Sequence, residues 1–193
     1  MNHISNFAGA ILIDRPFTIK SSSPEEEAVL NALYSLFKGR NMEFVTNWFN
    51  TMFGSLKIYF VILPYLGREQ ERVIIRISLE NGMRIKATFQ NTKNQKKDFT
   101  ENIFINQPPV TEGAARKDAR ALEALFALCR EQNITFVTNW LNKVFCEFDV
   151  YFVCLPHLTT EQEQVKFRAL LEEGMEVKVT LKRPRRKKRR NKL

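Results

Sequence analysis

The sequence predicts an α+β protein made of two tandem β-α-α-β-β-β repeats, followed by a disordered basic C-terminal tail. Each repeat is expected to be an antiparallel sheet with two helices on one face, the pair forming a pseudo-twofold intramolecular dimer. Three observations lead there. The pentapeptide FVTNW occurs at residues 44–48 and again at 136–140, an offset of 92 residues. At that offset residues 25–90 align with 117–182 without a gap, and about 29 of 66 positions are identical. Within each copy, the apolar pattern changes from helical spacing to strand-like runs and alternation.

The match extends upstream, where Phe7, Ile11, Ile13 and Pro16 coincide with Phe99, Ile103, Ile105 and Pro108. FAGAILIDRP is therefore the counterpart of the internal FTENIFINQP and not a targeting peptide. The expected organisation is a first repeat at 6–90, a polar linker at 91–97, a second repeat at 98–181 and a polybasic tail at 182–193.

FAGAILI alternates loosely and ends near Pro16, which suits a short edge strand. Pro24 followed by Glu25, Glu26 and Glu27 opens a helix, because proline fits the first turn and carboxylates favour the positive end of the helix dipole. Val29, Leu30, Leu33, Leu36 and Phe37 mark its apolar face and Gly39 stops it; Leu122, Leu125, Phe126 and Leu128 repeat most of that stripe. Asn41 and Asn133 stand where N-caps of a second helix belong. In that helix Phe44, Val45, Trp48, Phe49, Met52 and Phe53 form one face, with Thr46, Asn47, Asn50 and Thr51 on the other. Trp48 and Trp140 are thus expected in the core.

IYFVILP and VYFVCLP are continuous apolar runs, the mark of a central strand covered on both sides. VIIRISLENGMRIKATF alternates about a turn. A three-residue loop of Glu80, Asn81 and Gly82 pairs Leu79 with Met83, Ile77 with Ile85 and Ile75 with Ala87, keeping the apolar residues on one face. That register sets Arg76 opposite Lys86, and Arg168 opposite Lys178. Like charges that face each other cost roughly 0.2–1 kcal/mol, so the four residues are candidate contacts to an anion or an acidic partner. Asn47, Asn50, Asn139 and Asn142 form a candidate polar interaction face.

The chain carries a formal charge of +9, and the residues that supply it are localised. Lys182, Arg183, Arg185, Arg186, Lys187, Lys188, Arg189, Arg190 and Lys192 lie in the tail, leaving 21 basic against 21 acidic residues elsewhere. Such a tail fits a nuclear localisation signal read by an import receptor, and equally an arm that binds phosphate backbones without sequence preference. The neutral body, rich in aromatic and aliphatic residues, suits a protein partner.

Other chemistries find little support. A helix-turn-helix reader needs basic residues on its second helix, and MEFVTNWFNTMFG has none. The carboxylates of Glu69, Glu71, Glu161 and Glu163 adjoin turns without a partner base, and His3 and His157 lack metal-ligand spacing. No catalytic residue, metal site, cofactor motif or small-molecule site emerges. Cys129, Cys146 and Cys154, an odd number without a framework, suggest reduced thiols. Nothing approaches the apolar length of a membrane span. The expected function is that of a non-enzymatic nuclear protein, resident in the nucleolus or shuttling to the cytoplasm, whose duplicated body is a protein-interaction module and whose tail directs import and adds nucleic-acid affinity. The alternative is direct RNA or DNA binding through the sheet faces of both repeats.

Overall fold

The computed structural model describes residues 7–20, 22–64, 74–78, 84–91, 99–108, 112–156, 164–170 and 175–182. It is a mixed helix-and-strand protein in which the strand pairings among the described residues are antiparallel. The Glu80–Gly82 loop, the glutamates near Gln70 and Gln162, His3, His157 and tail residues 183–193 lie outside the described residues.

Helix α1 (Phe7–Ala10) is one short turn, so the edge strand expected for FAGAILI does not form. Downstream of it, the Ile13 N–H donates to the Arg40 carbonyl (2.8 Å), Gly39 N–H to the Ile13 carbonyl (3.0 Å) and Met42 N–H to the Ile11 carbonyl (2.8 Å). These residues reach the turn between two helices and not a neighbouring strand, leaving only a single bridge from Leu12 to Asn41. A 3-10 turn at Phe99–Asn102 and a bridge from Phe104 to Asn133 take the same course later in the chain.

Helix α2 (Pro24–Phe37) starts in a capping box: the Glu26 N–H donates to Ser23 Oγ (3.2 Å) and the Ser23 N–H to Glu26 Oε1 (3.5 Å). Gly39 then turns the chain in the left-handed region (φ 75°). Helix α3 (Met42–Met52) is capped by Asn41, whose side-chain oxygen accepts from the Phe44 N–H at 2.9 Å. Helix α4 (Arg116–Cys129) has Ala115 at its N-cap and no side-chain cap, whereas α5 (Ile134–Val144) is capped by Asn133 as α3 is by Asn41. Both glycine-free bends that follow, at Lys57 (φ 54°) and Asp149 (φ 56°), hold non-glycine residues in the left-handed region.

Strand β1 (Ile58–Pro64) pairs with β4 (Val150–Pro156) as a two-stranded sheet, with Val61 opposite Val153. Both faces of this ribbon are covered: Phe60, Ile62, Phe152 and Cys154 join the core beneath the helices, and their alternates Val61, Leu63, Val153 and Leu155 are buried too. The strands are nevertheless not central. The Asn50 side chain accepts from the Phe60 N–H (2.6 Å) and donates to the Phe60 carbonyl (2.9 Å), which takes up the outer edge of β1. Asn142 does the same to Phe152, at 2.6 and 3.1 Å.

The remaining strands are β2 (Ile74–Ser78), β3 (Arg84–Asn91), β5 (Gln164–Leu170) and β6 (Met175–Lys182), in the order β2-β3-β6-β5. Each half was expected to build its own sheet; instead β1 joins β4 and β3 joins β6, so both sheets draw on the two halves. Strands that leave a long edge open are a liability, and these pairings close the inner edges against each other. The core is likewise single. Phe49 packs edge-on to Phe145 and Phe152 (centroids 6.4 and 6.1 Å), and Phe17 packs on Phe145 at 4.9 Å.

Candidate functional site

The four-stranded sheet collects all four hairpin cations singled out in the sequence, together with Lys182 from the basic stretch. Its hairpins have the predicted register, Arg76 opposite Lys86 with Ile77 opposite Ile85 and Ile75 opposite Ala87, and Arg168 opposite Lys178. The seam between β3 and β6 then sets Arg84 opposite Lys182, Lys86 opposite Thr180 and Thr88 opposite Lys178. Residues two apart along a strand share a face, and residues in register share it across strands. One face of the sheet therefore carries Arg76, Arg84, Lys86, Lys166, Arg168, Lys178 and Lys182, with Glu176 as its single acid. The opposite face is apolar at every described position except Asn91. Lys86, near the middle of the cationic face, is exposed, and Thr88 and Thr180 are half-buried.

Arg76, Lys86, Arg168 and Lys178 are thus brought together into one sheet, where the sequence had placed them as two separate pairs. Arg84 and Lys166 were not singled out. Lys182 was counted with the tail but ends β6, and Asn91 was counted with the linker but ends β3. Their shared face follows from the register of β3 on β6, which no pattern within one hairpin reveals.

The four asparagines divide. Asn50 and Asn142 hold strand backbone as described above, which is a scaffold role. Asn47 is exposed and Asn139 half-buried on the same helices. Thr46 and Thr138 return their hydroxyls to the carbonyls of Met42 (2.8 Å) and Ile134 (2.9 Å), one turn back.

The tryptophans of the repeated pentapeptide are buried, as expected, but they also reach across the molecule. Trp48 Nε1 donates to Asp118 Oδ1 at 2.9 Å, and Trp140 Nε1 donates to Glu26 Oε2 at 3.2 Å. Asp118 lies in the first turn of α4 and Glu26 in that of α2, where the helix dipole already favours a carboxylate. Glu26 uses one oxygen on its own cap and the other on the indole.

A shallow depression of about 420 Å³ is lined by Leu12, Arg40, Asn41, Phe44 and Asn47. The Arg40 guanidinium sits 4.7 Å above the Phe44 ring. Leu12, Phe104 and Phe136 are exposed apolar residues (55%, 48% and 37%). Burial pushes the Cys129 thiol up to about 12, making it a poor nucleophile, while Cys146 is exposed. Among the described residues no group of three or more His, Cys, Asp or Glu could hold a metal ion, and no helix is long and apolar enough to cross a membrane. Comparison with protein families, curated proteins and solved structures finds no match to this chain.

Proposed function

We propose that this protein is a non-enzymatic nucleic-acid-binding protein, which holds phosphate backbones on the cationic face of a sheet assembled from two tandem repeats. The reading rests on one observation, the register of β3 on β6 that sets seven cations against one glutamate on a single face. Phosphate contacts of this kind release counterions and need no base recognition. The basic tail adds a second, sequence-independent arm and serves as the nuclear localisation signal.

The repeats are proposed to be related by a pseudo-twofold axis, each spanning the ranges 6–90 and 98–181. Three features support this. The β1–β4 pairing is centred on Val61 and Val153, and the β3–β6 pairing sets Ala87 opposite Val179, in both cases residues 92 apart. The indole bonds are reciprocal, because Trp48 and Trp140, like Glu26 and Asp118, are separated by 92 positions. Helices α2 and α4 are each 14 residues long, and α3 and α5 each 11.

A second reading, a duplicated protein-interaction module, is favoured by the exposed Leu12, Phe104 and Phe136. Leu12 and Phe104 hold the same place in the two halves, each bridging to the N-cap asparagine of a helix. One comparison separates the readings. In the full chain, tail cations Arg185, Arg186, Lys187, Lys188, Arg189 and Arg190 are replaced by glutamine, and affinity for labelled RNA and DNA is followed against salt. The sheet reading expects binding to persist, with a log-log salt slope of about −0.7 to −0.9 per phosphate still neutralised. Complete loss of binding in this variant would refute it and leave the interaction module standing.

A further inference from the structure

We infer that the preferred ligand of the cationic sheet is the backbone of a nucleic-acid duplex, straddled across a groove, and not a single strand. The inference rests on the proposed nucleic-acid reading and sharpens it from two observations.

The first is chemical. Sheets that hold single strands do so by stacking bases on aromatic side chains, at about 1–3 kcal/mol per base. The cationic face takes three positions from β2 and four each from β3, β6 and β5. None of them is Phe, Tyr, Trp or His; the residues between the cations are Ser78, Thr88, Gln90, Thr180 and Gln164, with Ile74 and Leu170 at the outer strands. Charge without a stacking platform suits a ligand whose bases are already paired and turned inward.

The second is geometric. Arg76 and Lys86 face each other on β2 and β3, and Arg168 and Lys178 on β5 and β6. The operation that exchanges the outer strands and the inner strands about the point between Ala87 and Val179 converts the first pair into the second. With strands about 4.8 Å apart and two-residue steps of about 6.8 Å, the centres of the two pairs lie about 12 Å apart. That is about the width of the B-form DNA major groove. The two backbones that border a groove run antiparallel and are related by a local dyad, so equal cation pairs can meet equal phosphates on both sides. A single strand has a direction and no such dyad, and it would meet the two pairs unequally.

The test uses the full chain carrying the six glutamine substitutions in the tail, so that the arm does not mask the sheet. Affinities are measured by fluorescence anisotropy for a blunt RNA duplex, a DNA duplex of the same length, and the separated strands of each. At least one duplex should bind about tenfold or more tighter than its own strands, and the comparison of the two arms identifies which sugar is preferred. Arg76→Gln and Arg168→Gln should each weaken duplex binding by a similar factor without lowering the urea midpoint, which should hold or rise slightly because each relieves a like-charge pair. Single strands that bind as tightly as duplexes would overturn the duplex inference while leaving the proposed function intact. Unequal losses from the two arginine variants would overturn the dyad match. No binding to any of the probes would overturn both this inference and the function it rests on.

Discussion

The indole bonds offer a quantitative test of how the two halves hold together. Trp48 Nε1 lies 2.9 Å from Asp118 Oδ1, and Trp48 is only 7% exposed, so the donor has little access to water if the acceptor is removed. Hydrogen bonds to charged groups contribute about 1.5–3 kcal/mol, and the partial exposure of Asp118 places this one near the lower end of that range. Trp48→Phe also loses packing against Phe37 and Phe49, which a double-mutant cycle with Asp118→Ala subtracts. The expected coupling is about 1.5 kcal/mol, or roughly 3–6 °C in melting temperature for a chain of this size. The Trp140–Glu26 cycle should give less, because its contact is longer (3.2 Å) and Glu26 also serves its own capping box. Urea unfolding reports both cycles conveniently, since the chain has two tryptophans and each variant leaves the other indole as the fluorophore. A Trp48–Asp118 coupling below about 0.3 kcal/mol would refute the view that these bonds staple one half to the other.

Three further outcomes follow from the same geometry. Asn50→Ala should destabilise by about 2–4 kcal/mol, because it strips partners from both the N–H and the carbonyl of the fully buried Phe60; Asn50→Asp, which keeps only the acceptor, should fall between, as chemical denaturation will report. Glu131 holds a left-handed backbone (φ 64°) where Gly39 stands in the other half, so Glu131→Gly should stabilise by roughly 0.5–1 kcal/mol, visible as a raised urea midpoint. Cys146 should react with a thiol reagent at pH 8 while Cys129 reacts only on unfolding, as mass spectrometry after labelling can establish. The folded Cys129 keeps its proton to about 12 whereas the unfolded thiol ionises near 9.0, so its contribution to stability is intact below pH 9 and declines as pH rises toward 12. The decline is at most about 1.4 kcal/mol per pH unit, and Cys129→Ala should remove it.

Much of the local structure was legible because its causes are local. Pro24, Asn41 and Asn133 announce helix starts through effects confined to the first turn, whereas the Ser23 cap of α2 was not singled out. The hairpin register was legible because a slip of one residue would have moved Ile75, Ile77 and Ile85 to the wrong face. Pairing between strands is another matter. IYFVILP carries no mark that selects VYFVCLP over a neighbour in its own half, and Asn50 and Asn142, which occupy the outer edges of the two strands, looked like exposed helix polars. FAGAILI was misread as a strand because its alternation is loose and its real partner, the turn at Arg40–Met42, offers backbone groups that a strand pattern does not reveal. The candidate site was half legible: Arg76, Lys86, Arg168 and Lys178 could be found from each hairpin, but Arg84, Lys166 and Lys182 became neighbours of theirs only through the β3–β6 seam.

That seam also sets a timetable for the growing chain. β1 and β3 emerge from the ribosome about 90 residues before β4 and β6, the strands they pair with. At about 5–20 residues per second, the first half waits roughly 5–18 seconds with one edge of β1 and one edge of β3 unpaired. Two nascent copies of that half on neighbouring ribosomes offer each other the same edges, so slow translation of residues 99–182 should favour strand exchange between copies over pairing within one chain.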